Sequence, residues 1–288
     1  MDFNEKVILI TGASRGIGGM AALHFANTKA NLALTGKTEN HLKKVALYCE
    51  KRSNKKPLYI VADLTVEEDI ERIVKETVNH YGKIDVLVNN AGVLAMGGIK
   101  DSSMESYDKV MSTNMRSVYQ LTKLAVPHII QSKGCIINIA CNAGIKPNKL
   151  TLAYNISKAA LIHFTKCLAL ELASDGVRVN SISPSFVKTN LYADSCTDEQ
   201  LELVSKNVVG QTPLKKPVEG EEVASLIAFL ASDKAKSITG CNYVPTVAYK
   251  SNTTGTASVL PTIIGLRRDS NDLWHPLVTH RSQQHTCC

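Results

Sequence analysis

The chain has 288 residues, of which 44% are hydrophobic, 20% charged and 5% aromatic. That balance supplies a substantial core and excludes disorder, collagen-like repeats and small disulfide scaffolds. The formal net charge of +7 comes from scattered lysines and arginines, without the dense basic block that a nucleic-acid surface needs.

From residue 6 short apolar runs alternate with longer helical patterns. Residues 6–11 read as a buried strand, and residues 12–28 as a turn followed by a helix. A second strand at 31–35 leads into a charged amphipathic helix at about 39–51. A third strand at 58–62 precedes a helix over 66–81, with Ile70, Ile73, Val74 and Val78 on one face. Residues 84–88 give a fourth strand. A long helix at about 106–131, a strand at 135–140, a helix at about 152–173 and a strand at 177–182 follow. Near-continuous apolar strands joined by helical crossovers imply a doubly wound parallel sheet, an α/β fold in a single domain spanning residues 1–240. Residues 241–288 lose periodicity, are rich in Ser, Thr, His and Pro, and read as a divergent, poorly ordered tail.

The eight cysteines are isolated apart from Cys287 and Cys288, and no C-x-x-C pair occurs. They read as reduced thiols. The polar start, residues 1–6, is unlike a signal peptide, and no apolar run approaches the roughly 18 residues that cross a bilayer. A cytoplasmic protein without a membrane span is expected. His275, His280, His285, Cys287 and Cys288 match no recognised metal spacing, so no metal site is expected.

Between the first strand and the first helix lies Thr11-Gly12-Ala13-Ser14-Arg15-Gly16-Ile17-Gly18. Phosphates need backbone N–H groups aimed at them, glycine lets the backbone approach closely, and the helix start adds partial positive charge. In this strand–turn–helix context the loop reads as a dinucleotide site. A carboxylate at the end of the second strand would take the ribose 2′-hydroxyl of NAD; here that stretch is Thr35-Gly36-Lys37-Thr38. Lys37, with Arg15, favours NADP over NAD. Tyr154 and Lys158 stand four apart on one helical face, where an ammonium can favour the phenol's anion and make it a proton donor or acceptor for a carbonyl.

In this combination the sequence resembles the short-chain dehydrogenase/reductase family over residues 5–240, in the manner of the 3-oxoacyl-acyl-carrier-protein reductases. Further support comes from Asp63-Leu64, from Asn89-Asn90-Ala91-Gly92, from Asn114 and from Val177-Arg178-Val179-Asn180. The resemblance implies a Rossmann fold and a nicotinamide cofactor. It implies that Asp63 holds the adenine edge, that Asn90 lies against the adenosine, that Lys158 also binds the nicotinamide ribose and that Asn114 anchors a relay water. Residues 184–189 match the segment over the nicotinamide, with Pro184, Val187 and Thr189 at its contacts. Asn89 reads as a tie between strands.

Three positions depart from that pattern. Cys141 stands thirteen residues before Tyr154, where the family has its catalytic serine, and a thiol is a longer, weaker donor. Such a loss costs about 10² to 10³ in rate, so reduced turnover is expected, with Asn142 a candidate substitute donor. A nucleophilic Cys141 is the lesser reading, since no histidine lies near it in sequence, and a redox sensor using Cys141 or Cys135 is a third one. Ser185 replaces the usual glycine after Pro184 and threatens to crowd the cofactor. The altered tail puts a homo-oligomer in doubt. The function expected is NADP(H)-dependent interconversion of a ketone and a secondary alcohol on an apolar or amphiphilic carbonyl compound. The alternative is a nucleotide-binding relative without significant turnover.

Overall fold

A computed structural model describes residues 1–189, 191, 202, 205–206, 209–210 and 214–245. All of them belong to one compact unit, Met1–Lys250. Seven parallel strands form one sheet: β1 (Val7–Ile10), β2 (Asn31–Gly36), β3 (Leu58–Val61), β4 (Val86–Asn89), β5 (Cys135–Ile139), β6 (Arg178–Ile182) and β7 (Asn242–Tyr243). Their order across the sheet is β3-β2-β1-β4-β5-β6-β7. The winding therefore reverses between β1 and β4, and the crevice at that switch point is where such sheets bind ligands.

Seven α-helices are described: α1 (Gly16–Ala26), α2 (Glu39–Ser53), α3 (Glu67–Tyr81), α4 (Met104–Met111), α5 (Ser117–Ser132), α6 (Leu152–Glu171) and α7 (Gly220–Ala231). None is long and apolar enough to cross a membrane, among the described residues. Alternate strand residues feed two cores, as the period of a strand requires. Ile8, Ile10, Leu34, Val86 and Ile137 pack with Phe25 of α1 and Ile227 of α7. Leu9, Ala33, Leu87 and Ile136 pack with Ile73 of α3 and Leu121 and Ile129 of α5.

Local chemistry sets the helix ends. Glu67, Glu68 and Asp69 lie in the first turn of α3, against its partial positive charge, and Gly82 ends it at φ 77°. The Ser103 hydroxyl accepts from Ser106 N at 3.1 Å and starts α4. Two expectations needed revision. The long helix at 106–131 is really α4 and α5 joined by a π-helical turn, Ser112–Arg116, which contains Asn114. Such turns cannot be read from apolar spacing, and they concentrate at functional sites. Helix α7 was not anticipated, although the Glu219–Glu222 capping box and the spacing of Val223, Ile227 and Leu230 mark it. Residues 241–245 begin as a strand, with Ser181 N and Ser183 N donating to the carbonyls of Cys241 and Tyr243. The rest of the expected tail, with its histidines and Cys287 and Cys288, lies outside the described residues.

Leu87 is fully buried at the centre of the sheet, whereas Leu170 on α6 is 84% exposed. Leu87→Ala should lower unfolding free energy by about 3 kcal/mol and Leu170→Ala by less than about 0.5 kcal/mol, read from urea midpoints. Equal effects would contradict this placement of the core.

Candidate active site

The loop after β1 holds the first part of the site. Thr11 N donates to Val88 O at 3.0 Å and Ala13 N to Thr35 O at 2.9 Å, which pins the loop between β4 and β2. Gly12 has φ 63°, and a Cβ there would lie 2.9 Å from Ala91 Cα, so both its conformation and its neighbours demand glycine. The Asn90 amide reaches back, donating to Thr11 O at 2.9 Å and Gly12 O at 3.2 Å. Thr11 Oγ1 accepts from the N–H groups of Asn90 and Ala91, each at 3.0 Å. Asn90 thus builds the loop as well as lining the groove beside it. Asn89 is the strand tie its sequence context suggests: its amide donates to Thr122 Oγ1 at 3.1 Å and Asn138 Oδ1 at 2.9 Å.

Ser14 Oγ is buried without a hydrogen-bond partner, and a Cβ on Gly36 would run into it. An orphaned hydroxyl in a glycine cradle at a helix start fits a phosphate-bearing ligand. Arg15 is exposed beside it. At the ends of β2 and β3, Lys37 Nζ lies 2.6 Å from Asp63 Oδ2. That ammonium, aided by Thr65, holds the Asp63 carboxyl down at about 2.

The second part lies on α6. Tyr154 and Lys158 are both 4% exposed, and Lys158 Nζ is 5.6 Å from the Tyr154 ring centroid. The ammonium donates to Ile139 O, at the end of β5, at 2.9 Å. Burial pulls its pKa down to about 8. Asn114 Oδ1 accepts from Val93 N at 2.8 Å; its amide donates to Val93 O at 2.9 Å and Ser157 Oγ at 3.0 Å. A Cβ on Gly92 would come within 3.3 Å of Asn114 Oδ1 and 3.4 Å of Lys158 Nζ, so these polar atoms converge on the open side of that glycine. The Cys141 thiol donates to Asn142 Oδ1 at 3.4 Å.

One groove of about 930 Å³ joins the two parts. Gly12, Ser14, Arg15, Gly16, Ile17, Lys37, Asp63, Leu64, Asn90, Ala91, Gly92, Tyr154, Lys158 and Thr189 line it. Thr189 lies over the loop, its Cβ 3.4 Å from where Gly16 would carry one. Gly18, Asn114, Cys141, Pro184 and Val187 are not among the lining residues. Gly18 packs on Gly12 O and the Asn90 amide. Pro184 O accepts from Asn142 N at 3.0 Å, and Val187 is bridged to Val218. Ser185 is buried, has no left-handed φ, and donates its N–H to Pro245 O at 3.1 Å. Ser185 is not among the residues that line the groove.

The groove also includes residues the motifs did not reveal. Val93, Leu94, Ala95 and Met96 supply an apolar wall, and Ser106, Lys109, Val110 and Thr113 present one face of α4 and the π turn. Both signals were in the sequence, as an apolar run after Gly92 and a three-to-four-residue spacing.

Residues 12–245 match the family model described as enoyl-(acyl carrier protein) reductase. The chain is 34% identical over 242 residues to a meso-2,3-butanediol dehydrogenase of Serratia marcescens, covering 84% of this chain and 93% of that protein. It is 34% identical over 241 residues to the 3-oxoacyl-(acyl-carrier-protein) reductase FabG of Thermotoga maritima, covering 83% and 96%. The crystal structure of L-sorbose reductase from Gluconobacter frateurii, complexed with NADPH and L-sorbose, superposes with a TM-score of 0.80 at 28% identity, over 86% and 98% of the two chains. The chain belongs to the short-chain dehydrogenase/reductase family.

Within a short-chain dehydrogenase/reductase the unusual thiols need separating. Cys135 and Cys49 are buried, and burial pushes them up to about 11 and about 12. That takes Cys135 out of the range of a redox-sensing thiolate. Cys141 instead packs against the Tyr154 cluster. Among the described residues no group of three His, Cys, Asp or Glu could hold a metal.

Lys158 sets a pH-dependent cost on this family member. Between pH 8 and the ordinary lysine value of 10.5, the folded chain has shed a proton that the unfolded chain keeps, so stability rises with pH across that window. Below pH 8 the full penalty is present. Lys158→Met should therefore raise the stability of nucleotide-free protein at pH 7 by on the order of 3 kcal/mol, and by much less at pH 10. Denaturant titrations at the two pH values measure it; a variant less stable at pH 7 would refute the unfavourable burial.

Proposed function

We propose that this protein is an NADP(H)-dependent oxidoreductase interconverting a ketone and a secondary alcohol. The observation that carries the reading is that a buried Tyr154–Lys158 pair and a glycine-loop phosphate cradle share one groove. Gly12, Ser14, Gly16 and Ile17 would hold the pyrophosphate, Arg15 and Lys37 the 2′-phosphate, and Asp63 and Leu64 the adenine. Bound there, the cofactor supplies or accepts the hydride. The chain's own residues handle the proton. Tyr154 donates its phenolic proton to the substrate oxygen in reduction and takes it back in oxidation. Lys158, held by Ile139 O, places its positive charge beside the phenol and favours the phenolate left after donation. Asn114 fixes Val93 and Ser157 around the pair. The wall formed by residues 93–96 suits an apolar or amphiphilic carbonyl compound. The carbonyl and alcohol chemistry named for the two curated relatives supports the same reaction class.

One observation favours a second reading, a nucleotide-binding relative without significant turnover. The Cys141 thiol spends its proton on Asn142 Oδ1 and is not part of the lining. A panel of ketones with NADPH, followed by loss of the reduced nicotinamide's absorbance, decides between them. The expected result is slow but measurable reduction, with Cys141→Ser about a hundredfold faster. Tyr154→Phe should lose about 10² to 10⁴ in kcat. A Tyr154→Phe protein as fast as wild type would end the catalytic reading.

A further inference from the structure

Lys37 and Asp63 each lie just past the ends of two hydrogen-bonded strands. Gly36 of β2 pairs with Val61 of β3, and Ala62 N donates to Gly36 O at 3.2 Å, so the sheet register itself brings the two side chains together. Their contact is 2.6 Å. The second oxygen of Asp63 accepts from Thr65 N at 3.0 Å and Thr65 Oγ1 at 2.8 Å, which fixes the carboxylate from the far side. The Lys37 side chain is 78% exposed and the Asp63 side chain 28%. An anchored anion therefore holds an exposed cation at this end of the groove. Arg15 has no carboxylate partner among the described residues.

We infer that Asp63 is a specificity-determining residue acting through Lys37: it competes with the 2′-phosphate of the nucleotide for the same ammonium. Lys37 must leave the carboxylate, or share itself, before it can neutralise a phosphate. Asp63 thus stands in for that phosphate in the nucleotide-free protein and moderates the preference for phosphorylated over plain adenosine ribose. The inference rests on the NADP reading above and adds the element that tunes it. An exposed ion pair of this kind shifts an equilibrium about two- to fivefold.

The test is calorimetric and needs no turnover. The full chain is titrated with adenosine 2′,5′-bisphosphate and with 5′-AMP, which differ only in the 2′-phosphate. The ratio of the two affinities cancels any loss of adenine binding common to both. Asp63→Asn should raise that ratio about two- to fivefold, and Lys37→Ala should lower it. In the Lys37→Ala background, Asp63→Asn should leave the ratio unchanged. A ratio that falls or stays constant in Asp63→Asn overturns the inference, as does an equal gain without Lys37, which would mean that Asp63 acts by its own charge. If wild type and Lys37→Ala alike show no preference for the bisphosphate, the NADP reading fails instead. Both substituted side chains lie at the surface of the groove, so the variants keep the core intact.

Discussion

The structure depends on one close approach, where the backbone leaving β1 meets the backbone leaving β4. Gly12 turns at φ 63° with no room for a Cβ against Ala91, and the Asn90 amide closes the gap with two hydrogen bonds to loop carbonyls. These bonds fix the start of α1, hence the direction in which its N–H groups point. They also fix Gly92, and through its missing side chain the space where Asn114 Oδ1 and Lys158 Nζ converge. A displacement at Gly12 would therefore be felt at both ends of the groove, at the glycine loop and at the Tyr154–Lys158 pair alike.

Much of this was legible before any coordinates. Strands buried on both faces announce themselves as apolar runs, and the crossover rule leaves few topologies for them. The glycine loop and Tyr154/Lys158 were legible because each needs particular residue types at fixed spacing. The π turn at Ser112–Arg116 was not, since an extra residue in a helical turn leaves apolar periodicity almost unchanged over so short a stretch. The apolar wall at residues 93–96 and the α4 face escaped for another reason: their residue types are those of an ordinary core, and only their position beside Tyr154 gives them meaning. The Lys37–Asp63 contact was equally hidden, because it joins residues 26 positions apart through the pairing of β2 with β3.

Lys158 shows how site and scaffold pull in opposite directions. A fully buried ammonium is costly in a low dielectric, and among the described residues no carboxylate forms an ion pair with it. Its ammonium donates to Ile139 O at 2.9 Å. A carboxylate here would offset part of that cost, yet it would cancel the positive field that the proposed proton transfer from Tyr154 relies on. The surrounding sheet supplies the compensation, with fully buried Ile8, Leu9, Ile10 and Leu87 at its centre.

The two lysines of the groove therefore have inverse electrostatics. Lys37 is exposed, paired with a carboxylate and screened by water. Lys158 is buried and, among the described residues, has no carboxylate ion-pair partner, so its charge is only weakly screened by water. The proposed selectivity between two similar nucleotides needs only a small, adjustable difference, of the size that an exposed pair can supply. In the proposed reaction, moving a proton from the Tyr154 phenol needs a larger bias, which a nearby buried ammonium can provide. The same side chain, placed at the rim and at the floor of one groove, would meet both requirements because its burial and its carboxylate partner differ between the two places.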